Sequence, residues 1–168
     1  SDPRAKRMAK QIADKTVPVI MEVFTRRRTM DQDINLRDND KIEAAIEALQ
    51  KETTEEMLAH TLTVIRRRMK EKGHLIPAVE QSADQAPLQM RVIQTGDGKS
   101  WFAAFTSFDE ELKGSNSVMS AFTAEIGPLF LMTLRTDAVE GLIINPWNKT
   151  IMLNKNLIRI IIHNYKGE

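Results

Sequence analysis

Gly141–Lys155, GLIINPWNKTIMLNK, is the stretch whose reading decides the fold. Leu142, Ile143 and Ile144 form a short apolar run rich in β-branched residues, and Thr150 to Leu153 form a second. Asn145-Pro146-Trp147-Asn148 between them has turn composition. Pro146 holds its own φ near about −65° and biases Asn145 away from the right-handed helical region. Asn145 and Asn148 can bond local backbone and tolerate turn geometry. The stretch therefore predicts strand, turn, strand.

Outward from this hairpin, a second one lies upstream. Leu88 to Gln94 alternates apolar and polar residues, Thr95-Gly96-Asp97-Gly98 supplies a turn, and Ser100 to Thr106 answers as a strand. Gly98-Lys99-Ser100 is not a phosphate loop, because no glycine lies five residues before Gly98 and the context is a hairpin. His74 to Glu80, HLIPAVE, reads as a further strand, with Pro77 calling for an edge position or a bulge. Gln81 to Pro87 reads as a polar loop.

Helices surround these strands. Ile42, Ala45, Ile46 and Leu49 give an apolar stripe for a helix from about Asp40 to Gln50, with Asp38 and Asn39 as capping residues. Thr53-Thr54-Glu55-Glu56 is a capping box, Thr53 to Glu56, for a helix that runs to about Lys72. Gly73 is placed to end it in a left-handed conformation. Ser107 caps a helical turn with Glu110 three residues on, and Asp109, Glu110 and Glu111 suit its dipole. Ser115 or Ser117 caps a helix over about Val118 to Thr136, in which Gly127-Pro128 marks a bend or a junction of two shorter helices. Asn154 or Asn156 precedes Leu157, Ile158, Ile160 and Ile161, which favours a last helix over a β-branched strand. Ser1 to Met30 reads as a basic helical segment broken near Pro18, followed by Arg26-Arg27-Arg28 as a solvated helix end. Arg66-Arg67-Arg68 receives the same reading. The fold expected is α+β: a mainly antiparallel sheet of about five strands, in two hairpins, packed with helices. Residues 1–39 form a basic helical extension and 40–168 the α+β domain.

Composition narrows the function classes. The chain has 168 residues, 42% of them apolar, enough for one core. Lys and Arg number 24 against 23 Asp and Glu, so no global charge recommends a nucleic-acid partner. The absence of cysteine excludes disulfides, thiolate nucleophiles and Cys-ligated metals, and agrees with a reducing, cytoplasmic setting. No apolar run approaches the roughly 20 residues that span a bilayer, so no membrane role is expected. His60, His74 and His163 show no metal-ligand spacing, so no metal and no cofactor is expected. Ser107 lacks the G-x-S-x-G elbow and is accounted for as a cap. No catalytic residue is assigned and an enzyme is not expected.

Three stretches together resemble the N-terminal domain of the SseB family, bacterial proteins named for an enhanced serine-sensitivity phenotype. They are Glu56 to Val79 leading into HLIPAV, Trp101 to Leu112 as WFAAFTSFDEEL, and Gly141 to Leu153 as GLIINPWNKTIML. The resemblance covers about Asp40 to Ile162, and its most specific parts are Phe105-Thr106-Ser107 and Asn145-Pro146. It implies a small α+β module without an established reaction. The function expected is a non-enzymatic protein-interaction or regulatory module with an unidentified protein partner. The alternative is a small-molecule sensor, amino-acid-related, with a pocket lined by Thr106, Ser107 and Asn145. The candidate binding residues are Phe105, Thr106, Ser107, Asn145, Pro146 and Trp147. The Trp147 ring either folds back over the sheet edge, the favoured reading, or forms part of a recognition surface with Asn145 and Pro146.

Overall fold

The computed structural model describes residues 12–19, 21–26, 34–80, 88–113 and 122–165. In chain order its elements are β1 Ile12–Pro18, β2 Phe24–Arg26, α1 Asp40–Lys51, α2 Glu55–Lys70, β3 His74–Pro77, β4 Val79–Glu80, β5 Gln89–Gln94 and β6 Ser100–Phe105. Then follow α3 Phe108–Leu112, β7 Phe122–Glu125, α4 Ile126–Arg135, β8 Gly141–Ile144, β9 Ile151–Asn154 and α5 Lys155–Ile161. Short 3-10 turns cover Met21–Val23 and Ile34–Leu36. The α+β class expected from the sequence is the one observed. Among the described residues the sheet has nine strands rather than about five.

Strand β6 is the hub of that sheet. One edge meets β5 over Ser100–Phe102 and β3 over Ala104–Phe105. The other edge meets β8, and this is the one parallel pairing among those of the described strands. The chain changes partner at Ala78: β3 lies along β6 and β4 along β5. Pro77 faces Ala104, beyond the His74–Leu75 stretch that pairs with β7, so its missing N–H interrupts no ladder on that side.

Period-2 alternation distributes the sheet's side chains to two faces. Phe102, Ala104, Leu142, Ile144, Ile151 and Leu153 enter the main core under the helices. Trp101, Ala103, Phe105 and Ile143 point the other way, into a smaller core with Ile76, Ile93 and Trp147. Leu36, Phe108 and Met152 border that second core. The helices contribute Ile42, Ile46, Leu62, Ile65, Phe130, Ile158 and Ile161 to the first.

Two segments differ in type from their sequence reading. The N-terminal segment is strand at Ile12–Pro18 and Phe24–Arg26, paired with β5 and β7, where a broken helix was expected. Val17 and Val19 pack against the main core at a two-residue spacing, and Thr16 and Val17 are β-branched. Sheet pairing, not a helical apolar spacing, thus sets the conformation of Ile12–Pro18 and Phe24–Arg26. Phe122–Glu125 is likewise strand, not helix, and is held between β3 and β2. Gly127-Pro128 then falls in the first turn of α4, where proline removes no intrahelical bond, and marks no mid-helix defect. The caps Ser115 and Ser117, the loop Gln81–Pro87 and the residues Arg27 and Arg28 lie outside the described residues.

Caps and turns carry smaller corrections. The N-cap of α2 is Thr54, whose hydroxyl accepts from Met57 N–H at 3.1 Å, while Thr53 bonds back to Leu49 O. Ser107 and Asn154 cap α3 and α5 as expected, accepting from Glu110 and Leu157 N–H. Lys72, with φ 64°, is the left-handed residue after α2, not Gly73. Gly73 is needed for room: a Cβ there would lie 2.5 Å from the Arg68 guanidinium.

Candidate functional site

The parallel β6–β8 pairing brings all six sequence-picked residues to one end of the sheet. Ala104 stands beside Ile144, and Asn145 N–H donates to Ala104 O at 2.8 Å. The residues that follow each strand, Thr106 and Asn145, thus meet across the strand ends. Thr106 N–H donates to Asn145 Oδ1 at 2.9 Å, and Asn145 Nδ2 donates to the Thr106 hydroxyl at 2.9 Å. That hydroxyl donates in turn to Glu43 Oε2 of α1 at 2.6 Å. Asn39 extends the network: its Nδ2 donates to His74 O at 2.7 Å and Thr106 O at 3.0 Å, and its Oδ1 accepts from Arg68 Nε. Asn39 accordingly makes no side-chain cap on α1, contrary to its sequence reading.

Thr106 and Asn145 are both 0% exposed, so their polar groups face each other and not a ligand. Asn145 holds φ 55°, a left-handed value that asparagine tolerates better than most residues. Pro146 is buried as well. Trp147 is folded back, the first of its two sequence readings, and not presented as a recognition ring: it is 5% exposed, its ring packs on Phe105 with centroids 5.9 Å apart, and its Nε1–H donates to Glu111 O at 3.2 Å. The turn folds back because α3 offers both an apolar partner in Phe108 and a carbonyl for the indole. Ser107 is half-buried and spends its hydroxyl on the α3 cap. Phe105 is fully buried.

At the rim of this network Lys149 lies between Glu43 at 3.7 Å and Glu47 at 3.0 Å. The Lys149 hydrogen bond holds the Glu47 carboxyl below its ordinary value, and the same bond raises Lys149 above its own. Lys149 also has positive φ, 51°. Chemically, the Thr106 hydroxyl between Glu43 and Asn145 has the partners a nucleophile needs, but burial denies it a substrate. The arrangement works as a strut that locks β6, β8 and α1 together.

A different surface is open. A cleft of about 440 Å³ runs between α2 and α5, lined by Leu58, Leu62 and Thr63 on one side and Leu157, Ile160 and Ile161 on the other. Ile160 is 58% exposed. The neighbouring hollow, about 270 Å³, continues past Arg66 to Lys70, Lys72 and His163. Arg66 bridges the two helices by donating to Ile161 O at 3.2 Å. The arginine triplet thus divides into roles, and its reading as a solvated helix end does not hold for Arg68. Arg67 is exposed, while Arg68 is buried and bonded to Asn39, Glu71 and Asn35 O. Sequence reasoning missed this cleft, although a signal existed. At about 100° per residue, Leu157, Ile158, Ile160, Ile161 and Ile162 span about 200° of helix circumference, more than one buried stripe requires.

Among the described residues no group of His, Asp and Glu could hold a metal ion, and no helix is long and apolar enough to cross a membrane. No family model, no curated protein and no solved structure matches this chain.

Proposed function

We propose that this chain is a non-enzymatic protein-interaction or regulatory module, of the kind its resemblance to the SseB family implies, acting in the cytoplasm on a protein partner. The docking face is the α2/α5 surface rather than the Asn145–Trp147 turn. One observation carries this reading: Ile160 stands 58% exposed on the lip of an apolar cleft, while Thr106 and Asn145, picked from sequence, are buried and bonded to one another. An apolar recess with a large exposed side chain at its lip gains free energy when a partner covers it. The Thr106 network supports the same reading by making the sheet and α1 a rigid base for that face.

The test is affinity capture from native lysate with the wild type and Ile160→Asp, after circular dichroism shows both folded. The expected result is one identifiable protein retained by the wild type and lost by the variant, which then binds the wild type as a purified pair. Equal retention by both chains would place the interaction elsewhere.

A further inference from the structure

The partner's chemistry follows from how charge is laid along the groove, taking the α2/α5 face as the docking surface. The cleft and the hollow are neighbours on this face and share Arg66 as a lining residue. Toward the N-terminal end of α2 the cleft walls are apolar, with Glu55 on the rim. Toward the C-terminal end the hollow is lined by Arg66, Lys70, Lys72 and His163, and among the described residues no carboxylate lines that end. Among the described residues no acidic side chain forms an ion pair with Lys70 or Lys72. Leu58 to Lys70 covers about 18 Å at 1.5 Å per residue, the length of three helical turns. A trough between two helices takes a third helix by ridge-into-groove packing.

We infer that the α2/α5 trough docks an amphipathic helix of a partner protein. Its apolar side chains enter between Leu58 and Ile160, and its acidic side chains lie over Lys70 and Lys72. Apolar anchors supply the affinity and the complementary charge fixes register and orientation. An anionic membrane shares the charge logic but fits the shape poorly. A bilayer needs a protruding apolar face, whereas here Leu58 and Leu62 line a recess with Glu55 at its edge.

The probes are two designed helical peptides of about 14 residues. Both carry leucine at positions i, i+3 and i+7. One bears glutamates along the flank and the other lysines. Each is titrated into the isotopically labelled full chain and followed by amide chemical shifts. The glutamate peptide should shift amides of α2 and α5, and the lysine peptide should not. Ile160→Asp and the pair Lys70→Glu, Lys72→Glu should each weaken the glutamate peptide by about tenfold or more. The charge-reversed pair should gain binding to the lysine peptide; these side chains lie on the surface, so the reversal leaves the fold intact. Equal response to both peptides, response to neither, or shifts mapping elsewhere would overturn the inference. So would concentration-dependent self-association abolished by Ile160→Asp, which makes a second copy the occupant. Binding to phosphatidylglycerol vesicles with the same variant dependence would overturn it in favour of a membrane. If neither peptide binds while Ile160→Asp still abolishes capture of the lysate partner, the docking face survives and only its partner's chemistry is wrong.

Discussion

The Asn145–Trp147 turn and the α2/α5 face hold the same kinds of side chain in opposite states. In the turn, an indole and two hydrogen-bonding residues are folded inward, and each polar atom named above meets a partner from another element. On the helical face, leucines and isoleucines flank an open recess, and Lys70 and Lys72 stand at its end. Turns at strand ends usually attract functional explanations, and helix faces structural ones. Here burial reverses the expectation. A buried, mutually bonded set of groups stabilises the fold because leaving any one of them unpaired costs the full desolvation penalty. An exposed apolar recess stabilises nothing until it is covered.

The largest effect that can test this contrast is on the turn. Trp147→Ala removes a ring that is 5% exposed together with its hydrogen bond to the Glu111 carbonyl, and should destabilise by about 3–5 kcal/mol. Urea unfolding measures it; a loss below about 1 kcal/mol would mean the indole is not part of the core. A capture experiment on Trp147→Ala would thus report folding, not binding. Asn145→Ala should follow at about 3 kcal/mol, because the buried Thr106 N–H loses its acceptor and the Thr106 hydroxyl loses the Asn145 donor while keeping its bond to Glu43. Asn145→Gly loses the same bonds but relaxes the φ of 55°, so it should be less damaging than alanine by about 1 kcal/mol. Equal losses would show that the left-handed turn carries no strain for alanine.

The helical face should respond in the opposite sense. Ile160→Asp should leave unfolding free energy within about 0.5 kcal/mol of the wild type while abolishing partner capture. A stability loss as large as that of Asn145→Ala would show Ile160 to be core, and the contrast between the two regions would fail.

The smallest effect concerns Lys149, which ties the turn to α1. Glu47 has its carboxyl held below the ordinary 4.5, so its share of the pair's stability is present above 4.5 and lost as pH falls through the lower folded value. Lys149 is raised above 10.5, so its share is complete below 10.5 and lost as pH rises through the higher folded value. The melting temperature of wild type minus Lys149→Met should therefore be flat between these limits and shrink beyond each. The difference will be small because Glu47 is solvent-exposed and screened. A difference that peaks at either extreme would contradict the pairing.

The sequence by itself determined the elements whose signals are local. The two hairpins, the stripes of α1 and α2, and the caps at Ser107 and Asn154 follow from turn chemistry, apolar period and side-chain acceptors within three residues. It also placed Phe105-Thr106-Ser107 and Asn145-Pro146 among the significant residues, and these do meet. What only the tertiary structure decided were the non-local choices. Val17 and Phe122 carry apolar spacings that suit either period, and available sheet partners made them strands. Asn39 and Arg68 read as a cap and a solvated cation, but a shared buried network claimed both. Trp147 and Ile160 were the decisive pair. Local sequence sets how apolar each is, but only the packing of α3 over the turn buried the first, and among the described residues no element packs across the α2/α5 cleft to cover the second. Burial depends on what the rest of the chain brings alongside, which no local pattern encodes.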